Sequence, residues 1–276
     1  VYGSDAVAGV INIILKKNYD GFRIKARYGD RDRDDGVEES FSILTGASSD
    51  RGSVTLAIEY DKRDEIYDGD RAFTAARYSD LDGDGEITGY AETAGVSYYG
   101  YSLVNPNFDG SDFSSTNEDS WYFHPGDCKE ENGYTGPLRS DALGVPGYYC
   151  GYAYALVSAN RASLTRLNTF VSAEYELTDN VDAYVDILMS EVESFGRYAP
   201  PAAPGPVIPG DPRNTIGATF GYFRWTDIGT RDNVVNDNLT DINIGLSGSF
   251  SDEISWETYA TFSEYRSTSM GRFYLS

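Results

Sequence analysis

The sequence predicts an all-β chain whose strands form part of a larger antiparallel barrel of the membrane-spanning kind. Three observations point there. Apolar residues sit singly between polar ones, tight turns alternate with very long connections, and no apolar run is long enough for a spanning helix. Hydrophobic residues make up 40% of the 276, with Tyr (23) and Gly (29) prominent and Met (2) and Trp (3) scarce. A soluble α/β enzyme draws its apolar content from longer runs of Leu, Ile, Val and Ala. The longest run here, Val10 to Leu15 (VINIIL), is broken by Asn12 and falls far short of the ~20 residues a membrane helix needs. A membrane reading is therefore a β-barrel reading, because a barrel spreads its hydrophobic signal over alternate positions.

The elements follow in order. Phe22, Ile24, Ala26 and Tyr28 fall on one face of a first strand at 22–30, with Arg23, Lys25 and Arg27 on the other. A second strand at 38–47 sets Phe41, Ile43 and Thr45 against Ser42, Leu44 and Gly46. The turn-like Ser48-Ser49-Asp50-Arg51-Gly52 then leads to a third strand, with Val54, Leu56, Ile58 and Tyr60 against Thr55, Ala57 and Glu59, which makes a hairpin. Alternation returns at Leu164, with Leu167, Thr169, Val171, Ala173, Tyr175 and Leu177 facing one way. Thr178-Asp179-Asn180 turns the chain into Val181, Ala183, Val185 and Ile187. A last hairpin pairs roughly 240–250 with 254–266 around Ser251-Asp252-Glu253.

Between these lie two excursions, 64–160 and about 194–239, rich in Gly, Asp, Ser, Asn and Tyr. A compact soluble domain rarely holds so long a connection without structure of its own. Outer-membrane barrels have this asymmetry, with short periplasmic turns and long extracellular loops. A soluble sandwich or solenoid also alternates, so the loop asymmetry rather than the period favours the barrel. Counting directions, 219–231 is strand-like but cannot be an ordinary spanning strand; it is expected as β-structure at the extracellular rim or folded inward. The Pro-rich 199–212 (APPAAPGPVIPGDP) lacks the N–H donors of a central strand and is expected as a lid or stiff spacer.

A net charge of −22 excludes nucleic acid as a partner, because neutralising phosphates needs clustered Lys and Arg. Val1 opens directly on folded-looking sequence, with no basic leader before it, which reads as truncation. Cys128 and Cys150 lie in one polar stretch without a CxxC, and the single histidine, His124, cannot complete a zinc site with them. An oxidised staple between the two cysteines suits an exported protein, the alternative being two reduced bystanders.

The segment that identifies the chain is its first. Val1 to Lys17 reads VYGSDAVAGVINIILKK and resembles the end of the plug domain of TonB-dependent outer-membrane receptors, where a Tyr-Gly-Ser-Asp-Ala turn and small residues lead into a Gly-Val-Ile-Asn-Ile strand. Tyr2, Gly3, Ser4, Asp5, Gly9 and Asn12 carry the motif. Gly3 and Gly9 permit backbone geometry closed to other residues, while Ser4 or Asp5 could equally cap a short helical turn. A weaker similarity to the same family covers Arg224 to Tyr265. The resemblance implies the end of a plug at 1–17 and the N-terminal portion of a barrel at 18–276, with about seven spanning strands where plugged transporters have ~22. It further implies TonB-driven uptake of a scarce nutrient (a siderophore, carbohydrate or similar) across the Gram-negative outer membrane. The partners it implies are membrane lipid, a small-molecule ligand and, through an absent N-terminal part, the TonB energy-transducing complex. A passive porin or surface-binding barrel is the alternative; a porin has no plug leading into its first strand.

Three candidate sites remain. Asp80, Asp82, Asp84 and Glu86 alternate around Gly83 and Gly85 like the first half of a calcium loop, but position twelve is Ala91 and helices are not indicated, so the pattern also fits an acidic turn cluster. No cofactor is required beyond such a structural calcium. Residues 64–160 hold 17 Asp/Glu against Arg71, Arg77, Lys129 and Arg139, with Tyr98, Tyr99, Trp121, Tyr122, Tyr148 and Tyr149 among many aromatics. These rings suit either a vestibule that stacks on a neutral or cationic ligand or a packed aromatic belt. Glu191 and Glu193 share a strand face with neither a nucleophile nor a basic partner, and an enzyme is not indicated.

Overall fold

The computed structural model describes residues 15–33, 35–75, 77–78, 93–94, 97–104, 106, 122–123, 134–139, 148–212, 214, 217–251 and 253–274. It is all-β and dominated by one seven-stranded antiparallel sheet. Its strands are β1 (Gly21–Gly29), β2 (Glu38–Ser49), β3 (Gly52–Arg63), β4 (Ser163–Thr178), β5 (Val181–Tyr198), β6 (Arg231–Ser251) and β7 (Ile254–Arg272). They lie side by side in chain order, each paired only with its neighbours, and the sheet is open with β1 and β7 as its edges. No helix among the described residues is long and apolar enough to cross a membrane.

Every strand expected from alternation is present, and only two residues separate β2 from β3, β4 from β5 and β6 from β7. All long connections therefore leave from the other end of the sheet. Two expectations need correction. The span 64–160 is not structureless: it holds strands Ser97–Val104, Tyr134–Arg139 and Tyr148–Tyr152 and several shorter pieces. The second excursion is shorter than 194–239, because β5 runs to Tyr198 and β6 begins at Arg231. There the face that is apolar lower down holds Glu193 beside Asn236 and Arg197 beside Asp232, and the other holds Ser194, Asp237 and Asn233. Both faces thus carry polar residues, and apolar/polar alternation is silent although the backbone ladder continues. The last hairpin likewise extends to Arg272.

Register sorts the side chains of the large sheet into two faces. One row of direct neighbours runs Phe22, Thr45, Leu56, Val171, Ile187, Ile242, Phe262, and the rows beside it hold Ile24, Ile43 and Ile58, then Val54, Ala173, Val185, Ile244 and Ala260. This apolar face is bare: Ile24 is 52% exposed, Val54 47% and Ile244 57%. About ten large side chains in this state leave on the order of 10 kcal/mol of burial unrealised, comparable with the whole stability of a domain.

The band of apolar residues crosses the sheet on a slant. Tyr28 tops it on β1, and following register across the sheet leads to Thr268 on β7, where the band instead ends at Phe262, six residues lower. Its lower edge shifts equally, from Phe22, in register with Phe262, to Trp256. One residue of ~3.4 Å per strand spacing of ~4.8 Å corresponds to a strand tilt of ~35°, the tilt of strands in closed barrels. On β4 the band runs from Leu167 to Tyr175, ~27 Å along the strand, or ~22 Å in height at that tilt, close to the ~25 Å apolar band of outer-membrane barrels.

The opposite face is polar, and residues 15–20 cross it. Gly46, Thr55, Ser172 and Asp186 form one row on this face. Thr55 is 0% and Ser172 3% exposed, because the lead-in chain lies in the trench these small residues leave. The Tyr19 amide donates to Thr55 Oγ1 at 3.0 Å. A Cβ at Gly46 would collide with the Tyr19 carbonyl and lie 2.6 Å from the Val54 oxygen, so this glycine answers a close backbone approach. Gly46→Ala is expected to lift the lead-in chain off the sheet and speed tryptic cleavage after Lys16 and Lys17 several-fold; cleavage at the wild-type rate would contradict that packing.

Candidate functional site

The polar face is sorted by charge. On β1 it presents Arg23, Lys25 and Arg27; on β3 and β4 it mixes Glu59, Asp61, Arg63 and Arg166; on β5 and β6 it presents Asp182, Asp186, Asp237 and Asp241, with Arg231 at the far end of β6. In the mixed zone the charges are tied laterally, Arg166 to Asp61 at 2.8 Å. Ser190 Oγ donates to Asn168 Oδ1 at 2.7 Å. An apolar row, Leu44, Ala57, Phe170 and Leu188, runs through this wall. With Leu15 and Lys16 above it, the row floors a cleft of about 540 Å³ that Arg23, Lys25, Glu59 and Asn168 also line.

The lead-in chain is fastened across this face at three points. Lys17 Nζ meets Asp186 Oδ2 at 2.6 Å, Ser53 Oγ donates to Asn18 Oδ1, and Tyr19 bonds to Thr55 as described. Lys17 also sits 5.8 Å from the Tyr184 ring centroid. That ring lies flat over Gly245, where a Cβ would come within 2.5 Å of it, and its hydroxyl donates to Glu257 Oε1 at 2.7 Å. A glycine under an aromatic ring across the strand pair is a standard way to fill a gap on a sheet.

The ends of the sheet away from the tight turns are bound by arginines. Arg161 donates to Glu38 at 2.6 Å and to the carbonyls of Gly36 and Asp64 at 2.9 and 3.2 Å. Arg197 holds Asp232 through two bonds of 2.8 and 2.9 Å, and Arg71 holds Asp35 likewise at 2.6 and 2.8 Å. Such forked pairs fix geometry as well as charge. The hydrogen bond from Arg71 is the main reason the Asp35 carboxyl ionises below its ordinary range, and the charges of Arg71, Arg31 and Arg33 act in the same direction.

Above this collar a second sheet orders Ala202–Pro206, Phe220–Arg224, Ser97–Val104, Tyr148–Tyr152 and Tyr134–Arg139, with Tyr122–Phe123 also paired to Ser97–Val104. The Pro-rich segment supplies its edge strand, as missing donors require. Phe220–Arg224 belongs to this sheet and not to the seven-stranded one, so this part of 219–231 is β-structure outside the large sheet, while Arg231 already belongs to β6. Leu103, Cys150, Val207 and Ala218 form its core, with Phe223 packed against them. Arg224 is 7% exposed, donates to the Pro200 carbonyl at 2.8 Å and lies 4.9 Å from the Tyr152 ring centroid.

Several sequence candidates meet here in part. The backbones of Tyr98, Tyr99, Tyr122, Tyr148 and Tyr149 come together in the second sheet; Trp121 lies outside the described residues. Cys150 is 4% exposed and disulfide-bonded; the one other cysteine, Cys128, lies outside the described residues. So do Tyr2, Gly3, Ser4, Asp5, Gly9 and Asn12, the acidic loop Asp80, Asp82, Asp84 and Glu86, and His124. Among the described residues no group of three or more His, Cys, Asp or Glu could hold a metal ion. Sequence reading missed the arginine collar and the Lys17–Asp186 pair, because their partners lie 35 to 169 positions apart and only register brings them together. No known protein family, curated protein or solved structure matches the chain.

The Asp35–Arg71 pair gives a pH signature. A carboxyl whose folded pKa is depressed contributes fully above its unfolded value of ~3.9 and loses that contribution as pH falls through the folded value. Amide exchange in 68–75, corrected for intrinsic rate, is expected to stay flat from pH 7 to about 4 and to rise below. Asp35→Asn should show the raised rate already at pH 7; a rise beginning near pH 6 in the wild type would contradict the pairing.

Proposed function

We propose that this chain is part of an outer-membrane β-barrel transporter that takes up a scarce small-molecule nutrient, energised through the TonB complex. One observation carries the membrane part of this reading: among the described residues, the chain lies across the polar face of the seven-stranded sheet and leaves the apolar face bare. A water-soluble sheet does the reverse, burying its apolar face under the rest of the chain. The slant and height of the apolar band support a barrel wall in a bilayer. Aromatic residues near its two borders, Tyr28 and Tyr60 at one and Tyr175 and Trp256 at the other, fit the girdles of such walls.

The transport part rests on the resemblance of Val1–Lys17 to the end of a plug and on the lead-in chain meeting the inner wall. In this reading the long connections and second sheet face the cell exterior, where their tyrosines stack on ligand. The charge-sorted wall lines the path inward.

Two experiments test the two parts. Ile187→Arg, at mid-height on the apolar face, is expected to cost about 2–4 kcal/mol of stability in a bilayer. Leu188→Arg, one residue on and facing the polar side, should cost clearly less, and equal costs would contradict the sidedness. For transport, the full-length protein is reconstituted in liposomes and arabinose permeation followed by swelling. A plugged transporter stays closed to arabinose, whereas permeation at the level of an open pore would favour the passive porin.

A further inference from the structure

We infer that Lys17 and Asp186 are a positioning pair: they seat the lead-in chain across the inner wall and keep the passage along that stretch of wall shut. The inference rests on the transport reading, but its evidence is local. Residues 15–20 precede β1 in the chain, yet Lys17 reaches four strands across the sheet to β5. It does so along the single row in which Gly46, Thr55 and Ser172 keep the wall low enough for a backbone to lie on it.

Charge makes the contact selective. The inner faces of β5 and β6 carry Asp182, Asp186, Asp237 and Asp241, and Arg231 stands at the far end of β6, twelve residues from Asn243, the neighbour of Asp186. Among the described residues, the cation that meets Asp186 is therefore brought by the lead-in chain. Asp186 Oδ2 accepts from Lys17, while Oδ1 is buried without a partner among the described residues. Removing Lys17 therefore leaves a partly buried carboxylate with neither oxygen satisfied, which costs more than losing an exposed ion pair. The Tyr184 ring, braced over Gly245 and bonded to Glu257, supplies a second face for the same ammonium. Asn18 and Tyr19 then lay the chain down towards β1 through hydrogen bonds to Ser53 and Thr55.

The test uses the full-length protein and two readouts: amide exchange at Tyr19 in micelles and arabinose permeation of liposomes. Lys17→Glu is expected to raise Tyr19 exchange at least ~10-fold and permeation several-fold. The charge-swapped Lys17→Glu/Asp186→Lys protein should restore both, and the milder Lys17→Gln should give a smaller change in the same direction should the charge reversal prevent folding. A purely structural contact would loosen Tyr19 without a leak, and that result overturns the proposal, as does unchanged exchange or a swap that restores neither. A wild-type protein that already leaks arabinose counts against the transport reading instead, while the exchange data still decide whether the pair holds the chain.

Discussion

The placement of one short stretch of chain governs how the rest of the structure is understood. Residues 15–20 bind the polar side of a seven-stranded sheet through Asp186, Ser53 and Thr55, and the apolar side is left open. In water this arrangement forfeits the main driving force of folding. On the proposed membrane reading a bilayer makes it the stable one, because lipid would cover the apolar side and the polar groups would face a lumen. The slant of the apolar band follows from the same constraint. On the same reading, strands crossing a level lipid layer at an angle must shift their apolar residues by a fixed step from one to the next, and the observed step is one residue.

The strands outlast the band. Above Phe262, β7 continues through Glu264, Arg266 and Thr268 to Arg272, and β5 and β6 rise with it. Beyond the apolar band the sheet is held by its ladder and by arginines, Arg197 forked on Asp232 and Arg161 on Glu38 and the Gly36 and Asp64 carbonyls, that tie neighbouring ends and their connections. The second sheet, with Leu103 and Cys150 at its core and Arg224 under Pro200, gives the long connections a framework of their own. On the proposed reading, a binding surface on such a base would be held in shape before ligand arrives, which lowers the ordering cost of binding.

Much of the fold was legible in the sequence where one face is apolar. Phe22 to Tyr28, Val54 to Tyr60 and Val181 to Ile187 alternate cleanly, and the turns at 50–51 and 179–180 carry the polar residues such turns need. Legibility failed where both faces are polar, as in the upper halves of β5 and β6, and where strands are short and Tyr- or Gly-rich, as in Ser97–Val104. The candidate site was less legible still. Gly46, Thr55 and Ser172 are unremarkable in sequence and become a trench only in register, and Lys17 gives no hint of a partner 169 residues on. The Pro-rich segment was legible only as barred from a central strand, because proline's missing donor is a local property that needs no register; in place of the lid or spacer expected, Ala202–Pro206 forms an edge strand.

The most direct measurement of the sidedness is a nitroxide scan of Leu167 to Tyr175 in the full-length protein in liposomes, reading collision with oxygen, which partitions into lipid, and with a water-soluble nickel chelate. Labels at 167, 169, 171, 173 and 175 are expected to be oxygen-accessible and chelate-protected. Those at 168, 170, 172 and 174 should be protected from oxygen, and the pattern on β7 should sit one residue lower for each strand crossed. Odd positions shielded from both reagents would mean that protein covers the apolar face, and the barrel-wall account would then be wrong.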